Sequence, residues 1–332
     1  MDARPVVVLN ETLTNGGVIQ KQLPAQHAWT GFLVRIAGTV SGDATTVALN
    51  GVLNLIQSIQ LSINTRPLWN INPAPFYWLN TWLQRTAGAI GQVTGANNET
   101  FNVSFFIPFA LPWPVREPGS FVTALPAGLC DTIDIRIQAA NDLVAALYST
   151  AGTVSSFSSG PTVTIQAMQI ATDVADLKAA TRAYGHGLLW QTYTANIAAA
   201  GDLDQLITAG GLLKVLFCDI INNTLQMTNA LTIATNQKLI LGANDLALDS
   251  TFLMLQDDAK AFYCLETPPP GTWVHAFDRS GMPLEGLNLS GLNQVKLRST
   301  YAAPTATATQ HVITGVLEPQ YIRQLLSPAR LA

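Results

Sequence analysis

The chain has 332 residues, a formal net charge of −4, and 11% charged residues against 48% hydrophobic ones. With 17 Lys and Arg against 21 Asp and Glu it has no basic excess, which argues against a phosphate-binding surface and against sequence-specific contact with nucleic acid. An ordinary soluble domain has roughly 25% charged residues. We therefore expect neighbouring molecules to cover much of this surface. The alternative is a surface that stays exposed to solvent and is neutral and rich in Thr, Asn and Gln.

Residues 1–25 are assigned to an N-terminal arm. Their only apolar run, Val6–Leu9, is followed by Asn10 and Glu11, which is not the pattern of a secretory signal, so we expect the product to stay in the cytoplasm where it is made. Further along, the best candidate for a membrane helix is residues 209–221. Charged side chains interrupt this run, and it is shorter than the roughly 18 apolar residues that a span requires, so no transmembrane helix is expected.

Alternation of apolar and polar residues predicts strands through the first half of the chain. The alternating segments are 32–36, 59–63, 101–107 and 133–137. In the last of them Ile135 lies between Asp134 and Arg136, so we expect Ile135 to be buried and its two neighbours to face outward. Residues 26–172 are assigned to a first β-sandwich.

Two segments break this alternation and favour helices. Residues 75–85 begin at a proline, which suits a first helical turn, and Gly88 follows the segment. Asp173 can cap a second helix over residues 173–182. Because the second helix falls near the middle of the chain, we assign 173–185 to a connector helix between two domains.

The second half repeats the strand pattern of the first. Alternation at 273–277, 295–297 and 312–316 predicts strands in residues 186–318, which we assign to a second sandwich. Residues 319–332 then form a C-terminal tail with apolar side chains at Ile322, Leu325 and Leu326. We expect this tail to dock on a neighbouring subunit or on an internal membrane, with docking on the chain's own barrel as the alternative.

A weak internal repeat supports two domains of one fold. The paired segments are 59–63 with 230–233, 81–84 with 251–256, and 133–136 with 295–298. Their offsets are about half the chain, far longer than the roughly 20 to 50 residues of solenoid repeats. Many short strands with long loops therefore predict an all-β chain of two tandem antiparallel sandwiches with a few short helices.

No set of residues has the spacing of an active site. His275, Asp278 and Ser280 are close in sequence, but triad members normally come from separate elements, and no nucleophile elbow accompanies them. We predict no catalytic and no cofactor-binding residues, and expect the chain not to be an enzyme.

Metal-ligand spacing is also missing from the sequence. The four histidines, His27, His186, His275 and His311, are scattered, and we interpret the acidic pairs 202/204 and 257/258 as solvated turns. Cys130, Cys218 and Cys264 lack C-x-x-C spacing and lie in apolar segments, so we expect buried, reduced thiols. No metal site is predicted.

The sequence resembles the double jelly-roll major capsid proteins of tailless icosahedral viruses. This lineage includes adenovirus hexon and the coat proteins of bacteriophages with an internal membrane. Three segments carry the resemblance: residues 51–64, 270–281 and 291–298. The resemblance implies that each sandwich is an eight-stranded jelly roll. It also implies a coat protein that forms homotrimers, whose six similar barrels make a pseudo-hexameric capsomer in an icosahedral shell.

The partners implied by the resemblance are neighbouring capsomers, minor capsid and vertex proteins, and an internal viral membrane. The protein would be located in the virion after assembly in the host cytoplasm. The leading alternative is a carbohydrate-binding or glycan-hydrolysing β-sandwich, because Trp69, Trp78, Trp82 and Trp113 cluster in the first half and could stack on sugars. Hydrolysis would need an acid pair, and none stands out. A third class, an outer-membrane barrel, conflicts with the missing signal peptide.

Overall fold

The computed structural model describes residues 4–44, 46–84, 93–94, 96, 98–109, 124–183, 185–208, 210–221, 234–243, 245–279, 285–302, 304 and 308–331. The described chain divides into two compact units. The first unit holds the residues before Leu189, except Thr81–Gln84, and those after Glu318. The second unit holds Thr81–Gln84 and Leu189–Glu318.

The first unit is a sandwich of two four-stranded antiparallel sheets. One sheet has the order β1-β10-β3-β7 and the other β6-β5-β8-β2, while β4 and β9 form a separate ribbon. The strands are β1 (Arg4–Thr12), β2 (Val18–Gln22), β3 (Ala28–Ser41), β4 (Thr46–Val47), β5 (Ile56–Ile63), β6 (Arg66–Ile71), β7 (Thr100–Pro108), β8 (Ile133–Ala139), β9 (Tyr148–Thr150) and β10 (Ser156–Ile170). Apart from β5 and β6, which pair with each other, consecutive main strands alternate between the two sheets as in a jelly roll.

The second unit repeats this arrangement. Its sheets have the orders β11-β19-β13-β16, with the short β17 paired to β13, and β12-β18-β14-β15. The strands are β11 (Gly187–Asn196), β12 (Gly201–Leu206), β13 (Leu212–Ile221), β14 (Ala234–Leu241), β15 (Asp245–Ser250), β16 (Thr272–Ala276), β17 (Leu287–Asn288), β18 (Val295–Tyr301) and β19 (Thr309–Glu318). Without the short β4, β9 and β17, both units have eight strands in the same order, so the predicted pair of eight-stranded jelly rolls is confirmed.

The described residues contain six short helices, of which the last two follow the final strand. They are α1 (Pro73–Gln84), α2 (Leu143–Leu147), α3 (Val174–Ala183), α4 (Phe252–Tyr263), α5 (Tyr321–Leu325) and α6 (Pro328–Leu331), and two 3-10 helices span Gly51–Leu55 and Ala127–Leu129. The predicted cap of α3 is present, because the Asp173 carboxylate accepts a hydrogen bond from the Asp176 backbone N–H at 2.8 Å. None of the helices in the described residues is long and apolar enough to span a membrane.

The assignment of residues 1–25 to an arm is wrong. Strand β1 pairs with β10 from Arg4 to Thr12, and β2 pairs with β8 from Val18 to Gln22. The first jelly roll therefore begins at β1 rather than at residue 26. Both strands lie at sheet edges, where side chains on both faces remain partly exposed, so their sequences do not alternate clearly.

The membrane-helix candidate 209–221 is largely a strand. Its residues from Leu212 onward form β13, which lies between β19 and β16 and is buried along most of its length. A strand buried on both faces has a continuous apolar sequence rather than an alternating one, which explains its likeness to a helix core.

The internal repeat is confirmed in one of its three segments. Ile133–Arg136 and Val295–Arg298 begin β8 and β18, the seventh main strand of each roll. Residues 81–84 form the end of α1, whereas 252–256 form the start of α4. The two segments therefore lie in equivalent helices but at opposite ends of them. The counterpart of 59–63 at 230–233 lies outside the described residues.

The C-terminal tail docks on its own chain, which corrects the expectation of a neighbouring subunit or membrane. The side chains of Ile322, Leu325 and Leu326 are 1%, 8% and 5% exposed. The Asn64 amide donates to the Leu325 carbonyl at 2.8 Å, and Arg330 pairs with Asp131 at 2.8 Å. All six residues belong to the first unit. The alternative interpretation of the tail is therefore the one that the structure supports.

Candidate functional site

The residues of the rejected triad have separate partners in the structure. His275 Nδ1 lies 3.4 Å from Asp258 Oδ2, too far for a strong hydrogen bond, whereas Asp278 pairs with Lys214 at 2.8 Å. Ser280 lies outside the described residues. Burial, followed by the charge of Arg279, lowers the pKa of His275 despite the raising effect of Asp258. A strand histidine with a lowered pKa, beside the ion pair of Asp258 and Arg279, is a structural arrangement rather than a nucleophile and its base.

The two acidic pairs lie on regular elements, so their assignment to turns is wrong. Asp202 and Asp204 are on β12, and residues 257–258 are on α4. Lys296 and Arg298 bind Asp204 at 2.9 and 2.6 Å, and the hydrogen bond from Arg298 is the main reason that the pKa of Asp204 is strongly lowered. Within the described residues no three His, Cys, Asp or Glu side chains come together as a possible metal site.

The expectation of three buried thiols is correct for two cysteines. Cys130 and Cys218 are buried, and Cys264 is exposed just after α4. Burial is the main reason that the pKa of Cys130 is raised to about 12 and that of Cys218 is raised as well. Protonated thiols of this kind are poor nucleophiles.

Three of the four tryptophans proposed for sugar stacking are part of the interior. Trp69, Trp78 and Trp82 are at most 8% exposed, and Trp113 lies outside the described residues. Trp69 stacks on Phe109 with ring centroids 4.2 Å apart. The indole N–H of Trp78 donates to Asn50 Oδ1, and that of Trp82 to Thr272 Oγ1. Their ring faces are therefore closed to a carbohydrate.

Buried charge is concentrated in the second unit. Lys214 and Asp278 form a fully buried ion pair, and the buried Asp219 accepts a hydrogen bond from His311 Nδ1 at 2.7 Å. Burial lowers the pKa of His311, but the charge and hydrogen bond of Asp219 outweigh burial, so the net shift is upward. The sequence showed neither pair, because partners 64 and 92 residues apart leave no local signal.

Charged residues are also unequally distributed between residues 189–318 and the rest of the chain. Residues 189–318 contain eleven acidic and six basic side chains, whereas the rest of the chain contains ten acidic and eleven basic ones. Across one sheet of the second unit, register places Asp204, Arg298, Lys238 and Asp249 in a row. The two outer acids neutralise the adjacent cations of the middle strands.

Exposed apolar side chains lie on the edge strand of this sheet and on the helix that comes after it in the chain. We call them the α4 patch: Leu246 on the edge strand β15, and Leu253 and Met254 in the first turn of α4. Their side chains are 53%, 42% and 64% exposed. Leu253 and Met254 are neighbours in the first turn of α4, and exposed apolar side chains that lie together are typical of interaction sites.

A second surface feature lies in the first unit, between helix α3 and the tail. We call it the arginine groove, an open cavity of about 660 Å³ whose lining residues include two arginines and no acid. It is lined by Arg182, Gln320, Arg323, Gln324, Leu326, Pro328 and Leu331. Arg323 donates to the Arg182 carbonyl at 3.3 Å, which ties the tail to α3.

Solved structures share this fold. The major capsid protein of Sulfolobus turreted icosahedral virus has a TM-score of 0.72 at 14% identity, with 98% of each chain covered. The chain has the double jelly-roll fold of viral major capsid proteins. The capsid of virus PBCV-1 gives 0.67 at 13% identity over 95% of this chain and 93% of that one. Major capsid protein P2 of bacteriophage PM2 gives 0.56 at 9% identity over 96% and 97%. No protein-family model and no curated protein matches this double jelly roll.

Proposed function

We propose that the chain is a viral major capsid protein with a structural, non-enzymatic role. The observation that carries this proposal is the double jelly roll itself, shared along nearly the whole length of capsid proteins from several viruses. A fold alone does not define a function. The low charge content and the α4 patch add support, because both are expected of a protein that buries its surface against neighbours.

The proposed mechanism is self-assembly. Two similar jelly rolls in each chain give six in a homotrimer, and six similar rolls can form a pseudo-hexameric capsomer that packs with others in an icosahedral shell. Uncharged contact surfaces avoid the desolvation penalty that buried Lys and Glu side chains would impose. Many weak contacts repeated around a closed shell then add as avidity.

The same proposal sets the location and the partners. The protein would be part of the virion after assembly in the host cytoplasm, and would contact neighbouring capsomers and minor capsid and vertex proteins. Contact with an internal membrane would have to involve surfaces other than Ile322, Leu325 and Leu326, since these side chains are buried within the first unit.

The proposal is tested by the mass and shape of the purified protein. We expect a species of three times the 35.5 kDa chain mass in sedimentation equilibrium, and capsomers or closed particles in negative-stain images. A monomer at every concentration tested would contradict the capsid role. A monomer that binds immobilised glycans would instead favour the carbohydrate-binding alternative.

A further inference from the structure

The ion pair of Lys214 and Asp278 in the second unit is closed off from solvent. Lys214 Nζ lies 2.8 Å from Asp278 Oδ2, and the two side chains are 0% and 3% exposed. The desolvation of two buried charges can exceed their attraction, so stability alone does not explain a pair of this kind. An amine and a carboxyl group held in contact without water are also the two reactants of an amide bond.

A β-bulge places Lys214 next to Asp278. The register of β13 against β19 shifts between Leu213 and Val215, so Lys214 is an extra residue in β13. Bulges turn a side chain out of the regular strand pattern and are common beside active sites. The Phe277 N–H donates to the Lys214 carbonyl at 2.9 Å. This bond ties the residue before Asp278 to the backbone of Lys214, so the amine and the carboxyl group have little freedom to separate.

Burial favours the uncharged forms of both groups, because neutral groups are less costly to bury than charged ones. Burial lowers the pKa of Lys214, and this effect outweighs the raising effects of Asp278 and Glu285. The 2.8 Å hydrogen bond is a direct path for a proton from Nζ to Oδ2. The amine that remains is the nucleophilic form of lysine. Gly286 also covers the lysine stem, since a Cβ at this position would lie 3.3 Å from Lys214 Cδ.

We propose that Lys214 and Asp278 form an intramolecular isopeptide bond in the folded chain. Lys214 Nζ attacks Asp278 Cγ, so that an Nζ–Cγ bond forms and one bond from Cγ to a carboxyl oxygen breaks. That oxygen leaves as water, with the proton already moved to Oδ2 and a second proton from Nζ. The step is a condensation and changes no oxidation state. We assign the transfer of the second proton to Glu285, whose charge acts on Lys214.

The bond would join β13 to the segment that follows β16. Its two residues are 64 positions apart. A covalent link across a long loop restricts the unfolded chain and thereby favours the folded one. Because the link acts within one chain, it does not depend on the proposed capsid role. In a shell it would make the second roll of every subunit more resistant to unfolding.

The mass of the purified full-length protein tests the bond. We expect the chain to be lighter by one water, about 18 Da, and to stay so in denaturant because the link is covalent. Tandem mass spectrometry of a tryptic digest should find the peptide that contains Lys214 joined to the one that contains Asp278. Unlinked peptides after prolonged incubation of the folded protein would overturn the proposal, and so would a water loss located at other residues.

The same digest contains a matched control. Lys296 Nζ lies 2.9 Å from Asp204 Oδ2, but these side chains are 19% and 33% exposed. Arg298 binds the same carboxylate, which favours its charged form. We therefore expect the peptides of Lys296 and Asp204 to stay unlinked. An equal yield of linked peptides at this exposed pair would contradict the role of burial.

A change of leaving group tests the assignment of Asp278. Asp278→Asn should no longer lose water, because an asparagine amide releases ammonia, about 17 Da, when it reacts with an amine. Circular dichroism checks that the variant folds. Loss of water from the folded variant would place the reaction at another carboxyl group and overturn the assignment.

The role of Glu285 is tested by the rate of linking. Glu285→Gln should slow the appearance of the linked chain at least about tenfold, because removal of a general acid–base group usually costs more than that. Samples taken at intervals after cell-free synthesis give the rate. The control is Glu266→Gln, which changes an exposed acid of the same unit and should leave the rate unchanged. Equal rates for the two variants would remove Glu285 from the step.

Discussion

At the scale of single residues, position in the alternation of a strand determines burial. Ile135 is fully buried on β8, Asp134 is partly exposed and Arg136 is exposed, as the sequence predicts. In the second roll, Val295 and Leu297 on β18 occupy the same kind of position. Alternation is informative here because β8 and β18 each have one face toward a core and one face away from it.

Replacing Ile135 with alanine should lower the free energy of unfolding by roughly 2 to 5 kcal/mol, because the removed methyl and methylene groups leave a cavity in a packed core. Arg136→Ala is the matched control on the same strand and should change it by less than about 0.5 kcal/mol. Urea unfolding of both variants provides the measurement. Equal stability of the two variants would contradict the burial of Ile135.

The Asp219–His311 pair makes stability depend on pH. The pKa of His311 is raised above 6.5 in the folded protein, so the folded state holds this proton more tightly than the unfolded chain. The stabilisation is fully present below pH 6.5 and is lost as pH rises through the raised pKa. We expect the free energy of unfolding to fall as pH rises above about 6.5.

His311→Gln should remove this slope, since glutamine keeps a hydrogen-bond donor but does not titrate. His275→Gln is the control, because the lowered pKa of His275 places its own effect below pH 6.5. Denaturant unfolding at a series of pH values distinguishes the variants. If the free energy of unfolding of the unchanged protein rose with pH above about 6.5, another titrating group would dominate the pH dependence.

At the scale of elements, alternation predicted several strands that have one buried face, among them β3, β5, β7 and β8. Strands β1 and β2 were missed because edge strands expose both faces. Strand β13 was not predicted as a strand, because both of its faces are buried and its sequence is continuously apolar. The helices α1 and α3 were predicted from their proline and aspartate start signals.

The candidate surfaces could not be predicted in the same way. The sequence gives the low charge content, but the α4 patch depends on which side of α4 faces its own sheet, and the arginine groove joins residues about 140 positions apart. Pairs such as Asp219 with His311 are likewise set by strand register between distant segments.

Removal of the tail after Glu318 should destabilise the first unit. The truncation removes three buried apolar side chains, the hydrogen bond from Asn64 to the tail and the ion pair of the tail with Asp131. Burial of one such apolar side chain contributes about 1.5 to 3 kcal/mol to the free energy of unfolding. We expect a melting temperature lower by several degrees. Differential scanning calorimetry of the truncated chain gives this value. An unchanged melting temperature together with lost particle assembly would restore the earlier expectation of a tail that docks on a neighbour.

At the scale of the whole molecule, two jelly rolls in one chain are alike in strand order but not in surface. Helix α1 is buried almost completely, whereas part of α4 is exposed. The acidic excess is confined to residues 189–318. A duplicated fold with unequal surfaces can make contacts that two identical rolls could not make, because each contact has a distinct donor surface and a distinct receiving surface.

The return of the tail to the first unit has a consequence for protein synthesis. Residues 319–331 emerge from the ribosome only after the whole second roll, yet they complete the first. The nascent first roll must therefore wait, with the surface around Asn64 and Asp131 uncovered, until the second roll and the tail have been made. A chain that lacks the tail would keep that apolar surface open to chaperones and proteases, so completion of the first roll depends on synthesis of the second.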